Sequence, residues 1–186
     1  MTRRAPSAFL AASLLALASA CTAPILPQRS RPGGSARWAE ALAAQSAVEW
    51  STRAALCRLS GGGIAIDGWL PDRGGYWQLI YSSPAKVNLL EVSVDSEGGV
   101  QTREIPATPS RRCHLNSDWL DSPRAWAATR AHQEGLLVHT FDAELATDAE
   151  PERFPDRPVW KIRFWREDRT YEIHVVSSQG EWLATY

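Results

Sequence analysis

The strongest constraint on the fold is a pair of alternating segments near the end of the sequence. They run over residues 159–165 and 170–177, and each alternates apolar with polar side chains. Alternation is typical of a half-buried strand, because successive side chains of a strand point to opposite faces. The short polar stretch between the segments predicts an antiparallel hairpin with one buried face and one solvated face.

The side-chain chemistry also indicates a register for this hairpin. Apolar residues meet when Phe164 lies opposite Tyr171, Ile162 opposite Ile173 and Trp160 opposite Val175. The same register places Arg163 opposite Glu172, which is a favourable cross-strand pair.

The solvated face of the hairpin is the candidate partner-binding site. Under the predicted register it carries Lys161, Arg163, Trp165, Glu172 and His174. Trp and Arg are enriched at binding hot spots. The alternative is that Trp165 is covered by the loop 146–158 or by the first half of the chain.

Helical and strand patterns occur in the same order twice. Residues 36–59 contain neither Pro nor Gly and predict a helix that is capped by Ser35 and stopped by residues 60–63. Strands are predicted over 64–70, 76–81, 87–94 and 100–105. A second helix opens at Asp121 or Ser122 with Pro123 and runs to residue 133. Strands over 136–145, the hairpin and residues 181–186 follow.

A weak internal repeat accompanies this order. A shift of 83 residues lays Trp77, Leu79 and Tyr81 on Trp160, Ile162 and Phe164. We therefore expect an α+β fold of two tandem units, each a helix packed on a small antiparallel β-sheet. The units would span residues 36–106 and 121–186, joined by a linker over 107–120.

The amino-terminal segment has the pattern of an export signal. Arg3 and Arg4 precede an uncharged stretch whose apolar core, residues 8–17, is about half the roughly 20 residues of a membrane span. Small residues then lead to Cys21. This arrangement resembles the lipobox of bacterial lipoproteins, although an ordinary signal peptide followed by a chance cysteine would look similar.

The lipobox resemblance implies a location for the protein. Residues 1–20 would be removed, Cys21 would carry the lipid, and residues 21–35 would form a flexible tether. Thr22 in place of Asp implies the outer membrane, with the protein facing the periplasm. Cleavage changes the formal charge from −1 to −3, because Arg3 and Arg4 are lost, so nucleic acid is not an expected partner.

The two remaining cysteines predict one disulfide bond. An exported chain with Cys57 and Cys113 left after lipidation is expected to pair them, and the alternative is two buried thiols.

The second half of the chain resembles the PepSY domain. The resemblance rests on the segments 159–164 and 171–175, on Gly180-Glu181, and on the helix that precedes them; residues 92–100 resemble the same pattern less closely. PepSY-like modules are exported or membrane-linked and bind or inhibit partners. Tandem copies would be similar to the beta-lactamase inhibitory protein fold, whose sheet presents aromatic residues to an enzyme.

No catalytic or metal-binding motif stands out. His132, His139 and Asp142 fit no common ligand spacing, so we expect no metal, no cofactor and no enzymatic activity. The first functional hypothesis is a cell-envelope lipoprotein that binds or inhibits another envelope protein. The alternatives are an envelope assembly or carrier lipoprotein that binds an apolar ligand, suggested by the nine tryptophans, and a hydrolase without a recognisable motif.

Overall fold

The structure is a computed structural model that describes residues 34–107, 115–133, 141–146, 149, 151–155, 157–166 and 168–186. Its helices are α1 (Ala36–Trp50) and α2 (Ser122–Thr129), the latter followed by a 3-10 turn over Arg130–His132. Its strands are β1 (Ala55–Ile64), β2 (Tyr76–Ser82), β3 (Leu89–Asp95), β4 (Val100–Ile105), β5 (Phe141–Ala146), β6 (Val159–Trp165), β7 (Tyr171–Ser177) and β8 (Trp182–Thr185).

All eight strands form one antiparallel sheet in the order β4-β3-β2-β1-β5-β6-β7-β8. At its centre β1 pairs with β5, with Leu59 opposite Leu145 and Gly61 opposite Ala143. The prediction of two tandem units, each a helix on its own small sheet, is therefore wrong: the described chain is mostly β, with two short helices on a continuous sheet. Pairing β1 with β5 satisfies two strand edges that separate sheets would leave open.

The first helix is shorter than predicted. It begins after the cap Ser35, whose hydroxyl accepts from the Trp38 amide at 3.3 Å, but it ends at Trp50 instead of residue 59. The glycines over residues 61–63 lie inside β1 and do not terminate a helix. The strand predicted over 64–70 is wrong too, since only Ile64 belongs to a strand. The second helix opens as predicted, with Asp121 as its cap and Pro123 in its first turn.

One core lies between the helices and a single face of the sheet. At its centre the Trp160 ring packs edge-on against the rings of Trp77, Trp119 and Trp126, with centroids 6.0–6.3 Å apart. The buried Trp77 indole donates to the Gly34 carbonyl at 3.1 Å. Aromatic pairs in this geometry add stability beyond the area they bury. Both helices therefore cover the same face and leave the opposite face of the sheet without a helix.

The hairpin has the predicted strands and a different register. Strand β6 covers residues 159–165 as predicted and β7 begins at Tyr171. Phe164 lies opposite Glu172 and Arg163 opposite Ile173, so the predicted register is wrong by one residue. A slip of one residue moves every side chain of one strand to the other face.

Neither helix in the described part of the chain has the length and apolarity needed to cross a membrane.

Candidate functional site: the open face of the sheet

The sheet face opposite the helices is called the open face here. Strand alternation and the observed registers give it polar and aromatic side chains near its centre: Arg58, Ser60, Tyr76, Gln78, Asp142, Glu144, Lys161, Arg163, Trp165 and Tyr171. Among these, Tyr76 and Tyr171 are 50 % and 52 % exposed, which is unusual for such large rings.

The five predicted binding residues divide between the two faces. Lys161, Arg163 and Trp165 lie together on the open face, whereas the one-residue change of register turns Glu172 and His174 toward the helices. His174 is completely buried against the Phe164 ring, at a centroid distance of 4.7 Å. His174 therefore belongs to the packing of the core, and Glu172 lies partly exposed beside it.

The buried His174 forms a hydrogen-bonded pair with the partly buried Glu172. The His174 Nε2 lies 2.6 Å from a Glu172 carboxylate oxygen, and its Nδ1 lies 3.3 Å from the hydroxyl oxygen of Thr185 on β8. Burial lowers the pKa of His174, and the hydrogen bond to Glu172 only partly opposes that effect. Glu172 also accepts a hydrogen bond from Arg166 at 2.7 Å, which fixes its carboxylate next to the turn of the hairpin.

A shallow depression of about 260 Å³ lies in the middle of the open face. Its lining residues come from four neighbouring strands: Ser60, Gly61, Tyr76, Asp142, Ala143, Glu144, Lys161 and Arg163. Two glycines of β1 lie at this point: Gly61 lines the depression, and Gly62 lies on the open face opposite Tyr76. A Cβ atom at Gly62 would lie 3.2 Å from the Tyr76 ring and 3.3 Å from the Asp142 carboxylate. The run of glycines is the sequence feature nearest to this site, and it was interpreted as the stop of a helix.

Arg163 is held beside two aromatic rings next to this depression. Its guanidinium carbon lies 5.2 Å from the ring centroid of Tyr171 and 5.8 Å from that of Trp165. The two rings meet edge-on, with centroids 5.1 Å apart. Cation–π attraction to the ring faces restricts the guanidinium without using any of its N–H groups.

The carboxylate nearest to Arg163 is bonded to another donor. The Trp165 indole donates to Asp142 Oδ2 at 2.9 Å, and the Arg163 Nη1 lies 3.9 Å from that same oxygen. That distance is within the range of an ion pair but is too long for a hydrogen bond. The buried Nε of Arg163 has no hydrogen-bond partner in the described part of the chain.

Two other arginines on this side of the sheet already have carboxylate partners. Arg58 Nε lies 2.8 Å from Glu144. On β4, Arg103 lies directly opposite Glu91 and donates to both of its oxygens, at 2.5 and 3.0 Å. Arg103 therefore has the two-pronged pairing that Arg163 does not make.

The two ends of the open face are apolar. At one end Cys57, Ile80 and Leu89 form a small buried cluster with Ile105. At the other end Phe154 and Ala149 of the loop pack on Val159, Ile173 and Val175. Trp165 remains partly exposed, so the loop covers the apolar end of the face and not the centre.

The remaining predicted site residues lie elsewhere. Cys21 and Cys113 are outside the described residues, and Cys57 is buried in β1. His139 is also outside them, whereas His132 stacks on Trp182 at 3.8 Å. Nowhere in the described ranges do three His, Cys, Asp or Glu side chains come close enough to hold a metal ion.

Comparison with protein families, with curated proteins and with solved structures finds no match for this chain.

Proposed function

We propose that this protein is a lipoprotein of the cell envelope, anchored through Cys21, that binds another envelope protein through the open face of its sheet. In this proposal the protein acts by binding and carries out no chemical reaction. Residues 1–20 are the export signal, and the lipid holds the folded part close to the membrane surface where its partner resides.

The observation that carries the proposal is the cluster of Arg163, Trp165 and Tyr171 beside the central depression. Trp, Tyr and Arg are the residues most enriched at binding hot spots, and such residues lie near the centre of an interface. Here they sit on a rigid sheet, are partly exposed, and border a concavity that could receive a side chain. Surfaces of this kind are preorganised, which lowers the entropic cost of association.

Protein binding is favoured over carriage of an apolar ligand by the packing of the tryptophans. A carrier would need aromatic and aliphatic side chains around an open cavity. Instead Trp77, Trp126 and Trp160 are fully buried and pack on one another in the core. The depression on the open face is lined mainly by polar and charged groups, which suit a protein surface better than a lipid chain.

Site-specific photo-crosslinking tests which face binds. The full chain is expressed in its envelope with a benzoylphenylalanine in place of Tyr171, and in a matched control in place of Val48, which is 59 % exposed on α1. We expect a discrete protein adduct from position 171 that is absent from position 48 and is lost with Arg163→Ala. Equal adducts from both positions, or adducts with lipid alone, would reject the proposal.

Labelling with radioactive palmitate tests the anchor separately. The wild-type chain should incorporate label, and Cys21→Ala should abolish both labelling and the shift in mobility that follows cleavage. Retention of residues 1–20 in the mature protein would contradict the envelope location.

A further inference from the structure

The arginine beside the depression differs from its counterpart at the other end of the sheet. Arg103 and Arg163 both project from the face opposite the helices, and each lies across from an acidic residue on a neighbouring strand. Arg103 donates to Glu91 through two nitrogens, whereas Asp142 accepts a hydrogen bond from the Trp165 indole. Within the described residues, a carboxylate is therefore bonded to the fork of Arg103, whereas Arg163 has only the longer ion-pair contact with Asp142 at 3.9 Å.

The side chains around Arg163 hold it in place without occupying its donors. Tyr171 and Trp165 contribute ring contacts, Ile173 lies opposite it on β7, and Nε is covered by the packing. The side chain is still 38 % exposed and lines the depression. Since Nε is covered, the donors that an incoming group could reach are those of the two terminal nitrogens.

Both carboxylates of the depression already accept from other donors, although the neutral indole leaves the charge of Asp142 in place. Of its two carboxylates, Glu144 is bonded to Arg58 at 2.8 Å and Asp142 to the Trp165 indole. Lys161 lines the same depression two residues before Arg163 on the same strand, so two cationic side chains stand beside the two carboxylates. An arginine fork matches the two oxygens of a carboxylate, and such charge-assisted bonds are stronger than neutral ones.

We propose that the depression is a subsite for one carboxylate of the partner protein, an aspartate or glutamate side chain that binds the terminal nitrogens of Arg163. This deepens the proposed function and rests on it for the identity of the partner. A volume of about 260 Å³ is enough for one such side chain. The carboxylate of the partner would accept two hydrogen bonds from Arg163, as Glu91 does from Arg103.

The subsite can be tested on the isolated protein, without the partner. The full chain, labelled with ¹⁵N and held in an uncharged detergent, is titrated with N-acetyl-aspartate N-methylamide while the indole N–H resonance of Trp165 is followed. We expect a saturable shift with a Kd of the order of millimolar, as for a single side chain. The neutral asparagine analogue should give no saturable shift.

Matched variants assign the effect to one arginine. Arg163→Lys and Arg163→Gln should weaken binding of the probe about tenfold or more, because neither presents a guanidinium fork. Arg103→Lys should leave it unchanged. The absence of saturation, an equal response to the neutral analogue, an equal loss in Arg103→Lys, or tighter binding of inorganic phosphate than of the probe would each overturn the proposal.

The crosslinking experiment and the carboxylate titration test the proposed function and the subsite separately. Crosslinking from position 171 reports whether any protein occupies the open face, whereas the titration reports only whether a carboxylate binds at Arg163. A protein adduct with no carboxylate binding would retain the proposed function and reject the subsite. Carboxylate binding without a protein adduct would reject the proposed function.

Discussion

The Trp165 indole and the Arg163 guanidinium compete for one oxygen, Oδ2 of Asp142. The indole nitrogen donates to this oxygen at 2.9 Å, whereas the Arg163 Nη1 lies 3.9 Å from it. Replacement of Trp165 by Phe removes the indole donor, so Asp142 should move within hydrogen-bonding distance of Arg163. A half-exposed ion pair of this kind contributes up to about 1 kcal/mol. The carboxylate probe should then bind about two- to fivefold more weakly to Trp165→Phe, as measured by the same titration followed through the Arg163 side-chain resonance.

A double variant separates this competition from simple loss of the indole ring. In Trp165→Phe with Asp142→Asn, position 142 no longer carries a negative charge that could bind Arg163, so affinity for the probe should return at least to that of the wild type. If the double variant binds as weakly as the single one, the indole acts on Arg163 by stacking and not through Asp142.

The buried His174 predicts a dependence of stability on pH. Burial holds the pKa of its imidazole below the ordinary value of 6.5, so the unfolded chain takes up a proton at a higher pH than the folded chain does. The stability that depends on a neutral His174 should therefore be complete above about pH 6.5. The free energy of unfolding should fall as the pH drops from there toward the lowered pKa. Urea denaturation at pH 7.5 and 5.5 measures the difference.

Histidine variants identify the group responsible for this slope. His174→Gln should flatten the dependence between pH 5.5 and 7.5, because the titrating group is gone. His132→Gln should retain most of the slope, because the charge of the exposed His132 is the smallest of the contributions that set the pKa of His174. A slope that survives in His174→Gln would show that another group titrates in this range.

The hairpin illustrates what the sequence could and could not predict about the site. Alternation predicted the bounds of β6 correctly. The register of the hairpin depends on its turn, and the turn is set by backbone angles. Here the amide of Arg166 bonds the carbonyl of Thr170 at 2.9 Å, and Arg169 adopts φ = 66°. A positive φ is rare for Arg, so nothing in the residue pattern indicated it. The favourable Arg163–Glu172 pair that suggested the other register is replaced by the bond between Glu172 and Arg166.

The central strand β1 was missed for a different reason. Its sequence has three glycines and few β-branched residues, so local propensity argues against a strand. Its conformation comes from its neighbours, because β2 and β5 pair with it on both sides. Alanine-rich residues before it fit a helix well, and the pattern contained no signal for the end of α1 at Trp50. The depression was missed with the strand, because Ser60 and Gly61 of β1 line it.

The two adjacent glycines of β1 should respond differently to an added methyl group. A Cβ at Gly61 would lie 2.5 Å from the buried Trp77 ring and 2.9 Å from the Tyr76 carbonyl, so Gly61→Ala should cost about 1–3 kcal/mol by overpacking. At Gly62 the nearest atom belongs to the half-exposed Tyr76 ring, which can move. Urea denaturation should give a cost below about 1 kcal/mol for Gly62→Ala. Equal costs would contradict the close approach at Trp77.

The expected bond between Cys57 and Cys113 is testable by mapping peptides under non-reducing conditions. Cys57 lies on β1 in the apolar cluster with Ile80 and Leu89. A bond from there to Cys113 would close a loop of 57 residues, counting both ends, and by the loop-entropy argument would stabilise the fold by about 4 kcal/mol. One linked peptide pair should be found in protein taken from the envelope, and Cys113→Ala should lower the free energy of unfolding by that order. Recovery of both cysteines as alkylated thiols from protein trapped before lysis would reject the bond. An unchanged stability in Cys113→Ala, with the bond present in the wild type, would instead show that the unfolded chain is not restrained as the loop argument assumes.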